Sequence, residues 1–188
     1  MSRWQPDARA RLQEAALALY GERGYDKTTV AEIAERAGLT KRTFFRYFAD
    51  KREVLFWRSE LLEQQMVAAI EAAPASAPAL GLIGAALDAA AIRFEENRDF
   101  AGPRHRIIAS SPELQERELI KAASLAAGLA GALRARGLGD TAAALAARTG
   151  LAVMNVAFEQ WVGDPDRAPF QQLASDALAQ LREIASAG

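Results

Sequence analysis

The chain has 188 residues, 51% of them hydrophobic, with 23 Lys and Arg against 24 Asp and Glu, one His and no Cys. That length supports one good core, or a small module joined to a larger one. The lack of cysteine excludes disulfides, thiolate metal sites, cysteine nucleophiles and thiol redox sensing. The formal charge of −1 is unevenly spread, because residues 1–58 carry 12 Lys and Arg against 8 Asp and Glu, and the remainder 11 against 16. A basic head on an acidic body points the head toward an anion. The N-terminal MSRWQPDARAR has no apolar leader run, and GLIGAALDAAAI is short and interrupted by Asp88. A soluble, cytoplasmic protein without a membrane partner is therefore expected.

Apolar residues recur at spacings of three and four and strand alternation is missing, so the expected fold class is all-α. The first predicted helix runs from about Pro6 through Leu12, Ala15, Ala16 and Leu19 to Gly24. The second opens on Thr29 with Glu32 three residues on, a capping box, buries Val30, Ile33, Ala34 and Ala37, and stops at Gly38. The third follows Thr40, whose hydroxyl can cap it, and ends near Phe48. Asp50 and Glu53 form a second capping box, opening a long helix to about Ala73. PASAP at 74–78 breaks the chain, since two close prolines remove donors and restrict their neighbours. Further helices are predicted at about 79–97, 103–109, 112–136, 140–163 and 169–186. The expected domains are 1–50, a three-helix head, and 51–188, a helical body.

LTKRTFFRYF, residues 39–48, sets four aromatic rings and three cations in ten positions. At 100° per residue they fall into stripes: Phe44 with Phe48, Arg42 with Arg46, Lys41 with Phe45, and Thr43 with Tyr47. Phe44 and Phe48 suit a core with Val30, Ile33 and Leu19, which turns Arg42 and Arg46 outward. Two helices joined at Gly38-Leu39-Thr40, the second with a cationic outer face, make a helix-turn-helix pattern. Such a second helix reads base edges in the DNA major groove through its N-terminal residues, here Lys41, Arg42 and Thr43. Arginine can pair with guanine O6 and N7, and a threonine methyl can pack on a thymine methyl. Thr29, Tyr47 and Lys51 are expected at phosphates. A solvated basic helix face is the plainer alternative.

The segment ERGYDKTTVAEIAERAGLTKRTFFRYFADKREVLF, within residues 9–56, resembles the DNA-binding domain of the TetR family of bacterial transcriptional regulators. The resemblance implies an all-α homodimer whose N-terminal helix-turn-helix heads bind a palindromic double-stranded operator and whose C-terminal domain binds an effector and dimerises. Arg46, turned outward with Arg42, the capping Thr40 and Phe45 complete the DNA-facing set. Phe45 stands where the family commonly has a tyrosine that meets a phosphate, and Arg42 where it commonly has a small residue. Arg42 is therefore expected to add base readout. RHRIIASSPELQERELIK followed by AFEQWVG is similar to the effector domain of regulators of the mycofactocin group, which implies a small hydrophobic effector, with an acyl-CoA among the candidates.

Arg104, His105 and Arg106 form the densest cationic cluster outside the head, beside Phe100, Ile107 and Ile108. Phosphates could meet these cations and an acyl chain an apolar slot. The alternative is a surface turn whose arginines pair with Glu95, Glu96 or Glu113. Phe94, Met154, Phe158 and Trp161 could line a pocket, or simply be core.

With one His, no Cys and no phosphate-binding glycine loop, no catalytic or metal constellation can be assembled, and neither enzyme activity nor a cofactor is expected. An effector-independent architectural DNA-binding protein, governed by salt, is the main rival function. A single-strand stacking platform is disfavoured because two of the four rings are needed for packing. Dimerisation is expected through about 140–163 and 169–186, forming a four-helix interface.

Overall fold

In the computed structural model, residues 7–164 and 168–186 are described, and all regular structure among them is helical. Pro6, expected to open the first helix, lies outside them. The helices are α1 (Ala8–Arg23), α2 (Val30–Arg36), α3 (Lys41–Tyr47), α4 (Glu53–Phe56), α5 (Ser59–Ala72), α6 (Ala79–Glu95), α7 (Arg98–Ala109), α8 (Pro112–Ala135), α9 (Asp140–Gly163) and α10 (Phe170–Ser186). Asp7 caps α1 by accepting from the Arg9 N–H at 3.4 Å.

The helices divide between two compact units. A head unit holds the described residues up to Arg58 together with Pro103–Glu118, and a body unit holds Ser59–Gly102 and the described residues from Leu119 onward. The boundary expected at 50/51 therefore falls at 58/59, and the reason is α4. Its Val54, Leu55 and Phe56 are buried in the head, Gln13 of α1 donates to the Val54 carbonyl at 3.4 Å, and the Tyr20 hydroxyl to the Lys51 carbonyl at 2.6 Å.

The single helix expected from Asp50 to Ala73 is two, α4 and α5, parted at Trp57 and Arg58. In a continuous helix the Leu55 carbonyl would accept from the N–H of residue 59. Here Arg104 Nε donates to it instead, at 2.8 Å. Only half of the second capping box forms. Asp50 accepts from the N–H groups of Arg52 and Glu53 at 2.8 and 3.1 Å, while the Glu53 carboxylate pairs with Arg117 at 2.6 Å. In α7 the helix begins before the expected 103, and Pro103 sits inside it.

The head core is Leu12, Ala16, Leu19 and Tyr20 of α1, Ile33 and Ala34 of α2, Phe44 and Phe48 at α3, and the buried face of α4. Gly38 makes the turn between α2 and α3 possible. Its φ of +65° lets the Gly38 N–H reach the Glu35 carbonyl at 2.9 Å and the Leu39 N–H the Ala34 carbonyl at 2.8 Å. This closure is the Schellman motif, in which orphan carbonyls at the helix end are satisfied.

In the body, α6 packs on α5, α9 and α10, and α9 also packs on α10. Small residues set the spacing. A Cβ on Gly150 would stand 2.9 Å from Ile83 Cγ2, so α9 approaches α6 as closely as glycine permits. Arg136 donates to the carbonyls of Ile70 and Pro74 near the end of α5. On length and composition alone α9 could also cross a membrane, with a mean hydropathy of 1.3. Its inner face, with Ala143, Ala147, Leu151, Val153 and Trp161, is core, whereas Leu145 and Val156 stand 62% and 49% exposed on its outer face.

Candidate nucleic-acid interface

The local folding of α2 and α3 presents one polar face. Thr29 accepts from the Glu32 N–H at 3.3 Å and Glu32 accepts from the Thr29 N–H at 2.9 Å, so the capping box is complete. The Thr29 hydroxyl also lies 2.8 Å from the Glu32 carboxylate. Backbone donation from Thr29 and its hydroxyl hold that carboxyl below the usual range. Thr40 caps α3 by accepting from the Thr43 N–H at 3.1 Å, and the two hydroxyls are 3.0 Å apart.

Burial on α3 follows the helical stripes. Phe44 is 0% and Phe48 3% exposed, while Phe45 is 57% exposed. Lys41, Arg42 and Arg46 are exposed, and Thr43 and Tyr47 lie at the border. The rings of Phe44 and Phe45 meet edge to face at 5.5 Å, so the buried ring braces the exposed one.

Charge separates by helix. Arg23 pairs with Glu32 at 2.8 Å, Arg36 with Glu22 at 2.6 Å and Arg52 with Asp50 at 2.7 Å. These cations belong to α1, α2 and the start of α4. Among the described residues none of the three cations of α3 has a carboxylate partner. Ion pairs between exposed side chains each contribute little to stability, but they cancel charge locally. The outer face of α3 therefore carries three positive charges that no carboxylate among the described residues cancels.

Lys51 turns inward. Its ammonium donates to the carbonyls of Tyr25 at 2.8 Å and Thr28 at 3.1 Å, lies 3.4 Å from that of Asp26, and sits 4.1 Å from the centre of the Tyr25 ring. Its donors are turned inward onto the loop between α1 and α2. Lys51 thus anchors that loop, a role its position in the sequence did not suggest.

The residues expected around an effector fall in different units. Phe94, Met154, Phe158 and Trp161 pack in the body core. There Phe94 meets Phe158 at 5.1 Å, Trp161 at 6.0 Å and Phe170 at 4.7 Å. Phe100, half-buried, also belongs to the body. Arg104, His105 and the buried Ile108 belong to the head.

Arg104 is also committed internally. Besides donating to Leu55, it pairs with Glu118 at 3.1 Å and lies 5.1 Å from the Phe56 ring centre. Burial pulls its guanidinium below its ordinary value, against the opposing pull of Glu118. Arg104 therefore serves the head's own packing. Its partner is Glu118, a pairing that residue spacing did not suggest.

Residues 12–56 match the model of bacterial regulatory proteins of the tetR family. A stretch of 67 residues is 42% identical to the HTH-type transcriptional regulator TcmR of Streptomyces glaucescens, covering 36% of this chain and 30% of that protein. The alignment thus spans under a third of that relative's length. The N-terminal segment of the chain is thus of the TetR type.

The TetR-type fold extends through the body. FadR of Bacillus subtilis, solved in complex with stearoyl-CoA, matches 92% of this chain and 96% of its own at 18% identity and a TM-score of 0.66. SmeT of Stenotrophomonas maltophilia, solved in complex with triclosan, matches 92% of this chain and 88% of its own at 20% identity and a TM-score of 0.65.

Proposed function

We propose that this chain is a TetR-family repressor that binds a palindromic DNA operator as a homodimer and leaves it when a small hydrophobic effector binds the body. The observation that carries the DNA-binding part is the concentration of unpaired cations on the exposed face of a capped, core-anchored recognition helix. Arg42, with Lys41 and Thr43, reads base edges in the major groove, and Arg46, Tyr47 and Phe45 meet the sugar-phosphate edge. Thr29 and Thr40 shape the approach by capping α2 and α3.

Dimerisation is assigned to α9 and α10, supported by the exposed Leu145, Ala152 and Val156 on α9, apolar side chains on a helix whose other face is core. A four-helix interface of this kind would set two α3 helices on the order of 34–36 Å apart, one turn of DNA. The effector is assigned to the aromatic cluster of Phe94, Met154 and Phe158, whose side chains are only partly buried. Ligands of two proteins with this fold, stearoyl-CoA and triclosan, set the candidates: long acyl-CoAs and apolar phenols. Binding shifts the population away from the DNA-competent form by no more than the ligand's differential affinity for the two forms.

A gel-shift titration against promoter DNA, with wild type and Arg42→Ala, tests the reading. Loss of base preference in the variant is expected, and an unchanged affinity and preference would remove Arg42 from readout. An architectural binder without an effector would instead show salt-governed binding with little preference. Thermal shift with a panel of acyl-CoAs and apolar phenols tests the effector class. Stabilisation together with operator release is the expected result.

A further inference from the structure

Arg9, at the start of α1, lies far in sequence from the recognition helix but not in space. Its guanidinium carbon is 4.8 Å from the Trp57 ring centre and 5.5 Å from that of Tyr47. Arg46 stands 4.9 Å from the same Tyr47 ring and donates to the Tyr47 hydroxyl at 3.2 Å, and Arg58 stands 5.0 Å from Trp57. The result is an alternating row: Arg58, Trp57, Arg9, Tyr47, Arg46. All five belong to the head unit.

The row is an unusual way to place charge. Ring faces attract a cation, but neighbouring guanidinium groups repel one another. Among the described residues no carboxylate pairs with Arg9 or Arg46, and Arg9 Nε is buried without a hydrogen-bond acceptor. In this head the arginines that serve structure have acceptors: Arg11 the Ala37 carbonyl, Arg23 Glu32, and Arg36 Glu22. Arg9 and Arg46 share a tyrosine and no anion. A guanidinium held flat by rings, with its charge uncancelled, is prepared for a phosphate.

We infer that Arg9 is a second DNA-backbone contact, taking a phosphate beside the one met by Arg46 and Tyr47, with Trp57 and Tyr47 as its positioning rings. This rests on the proposal that α3 binds DNA and extends the footprint from α3 to the start of α1. The ligand is the duplex phosphate, so the contact is independent of base sequence.

The test needs no known operator. Binding of full-length protein to a fluorescent mixed-sequence DNA duplex is measured across a salt series. Each lost phosphate contact lowers the slope of log Kobs against log salt by about 0.9. Arg9→Gln is expected to lower the slope by about that amount per bound protomer, Arg9→Lys to restore it, and Arg134→Gln in α8, which removes the same charge elsewhere, to leave it unchanged.

A wild-type slope in Arg9→Gln overturns the inference, as does an Arg9→Lys slope as low as that of Arg9→Gln. Should Arg9→Gln fail to fold, phenylglyoxal labelling of wild type read by mass spectrometry replaces it. Protection of Arg9 by the duplex is expected, and equal labelling with and without duplex overturns the assignment. Wild type that shows no salt-dependent binding at all refutes the DNA-binding proposal itself, an outcome distinct from loss of the Arg9 contact alone.

Discussion

In the head unit, helix ends are closed by named side chains: Thr29 and Glu32 on α2, Thr40 on α3, Asp50 ahead of α4, and Arg104 on the Leu55 carbonyl. In the body unit the long helices α6, α9 and α10 are built from Ala, Leu and Gly on facing sides, with the Gly150 to Ile83 approach as their tightest recorded point. The head is thus specified by polar partners one at a time, the body by volume. A reading head must hold a few side chains in fixed directions. Under the proposed function, a body that admits an apolar effector and a second copy would benefit from faces that can repack.

This contrast predicts where each unit breaks. The largest effect is expected for Phe44→Ala, which empties the centre of a small core. The head should lose about 3–5 kcal/mol and DNA binding with it, followed by urea unfolding and gel shift. Next comes Gly150→Ala in the body. The added methyl collides with a β-branched neighbour, and overpacking costs about 1–3 kcal/mol. Ile83→Val in the same chain should recover part of it in a double-mutant unfolding cycle.

Smaller effects belong to head residues that set direction. Gly38→Ala forces a left-handed φ on a residue with a Cβ, at a cost of about 1–2 kcal/mol, and brings that Cβ to 2.8 Å from Arg11. Operator affinity should fall more than stability does, because the turn aims α3. Thr40→Ala removes the α3 cap, worth about 1 kcal/mol. Circular dichroism melting should show the loss, and Thr40→Ser should restore it.

The smallest effects are electrostatic and sharpen the comparison by pH. Burial pushes Asp50 up, but Arg52 and the N–H groups of Glu53 and Arg52 hold it below the ordinary carboxylate range. Glu95 in the body is likewise lowered against burial, by Arg98, the Phe170 N–H and the Trp161 N–H. A depressed folded pKa stabilises fully above the unfolded value and is lost as pH falls through the folded one. The stability gap between wild type and Asp50→Asn, or wild type and Glu95→Gln, should be flat above about pH 5 and shrink below it. A gap that widens on acidification would reverse the sign.

Much of the head was legible from sequence because its signals are local. The capping box at Thr29, the glycine at 38 and the angular spacing of Phe44 and Phe48 each act within one or two turns. The body's helices were legible as periods and punctuation, and the observed ends of α6, α8, α9 and α10 fall close to those expected, whereas α5 and α7 begin elsewhere, at Ser59 and Arg98.

What could not be read was long-range. The ammonium of Lys51 could face solvent or the loop at 25–28 with equal sequence support, and only the folded position of that loop decides. The break at Trp57 carries no Pro or Gly to announce it, since the carbonyl it frees is satisfied by Arg104, distant in sequence. Arg9 had no periodic role on α1, and its partners lie in α3 and after α4. That Arg104 and the aromatic cluster belong to different units was hidden for the same reason.

Sequence-specific recognition by paired α3 helices is the central claim, and selection from fragmented genomic DNA tests it directly. Fragments retained by the purified protein are sequenced. Enrichment of an inverted repeat is predicted, its half-site centres about 10 base pairs or a multiple apart, and its enrichment should be lost in Arg42→Ala. Retention without any enriched sequence, or enrichment of a motif without two-fold symmetry, would contradict the account.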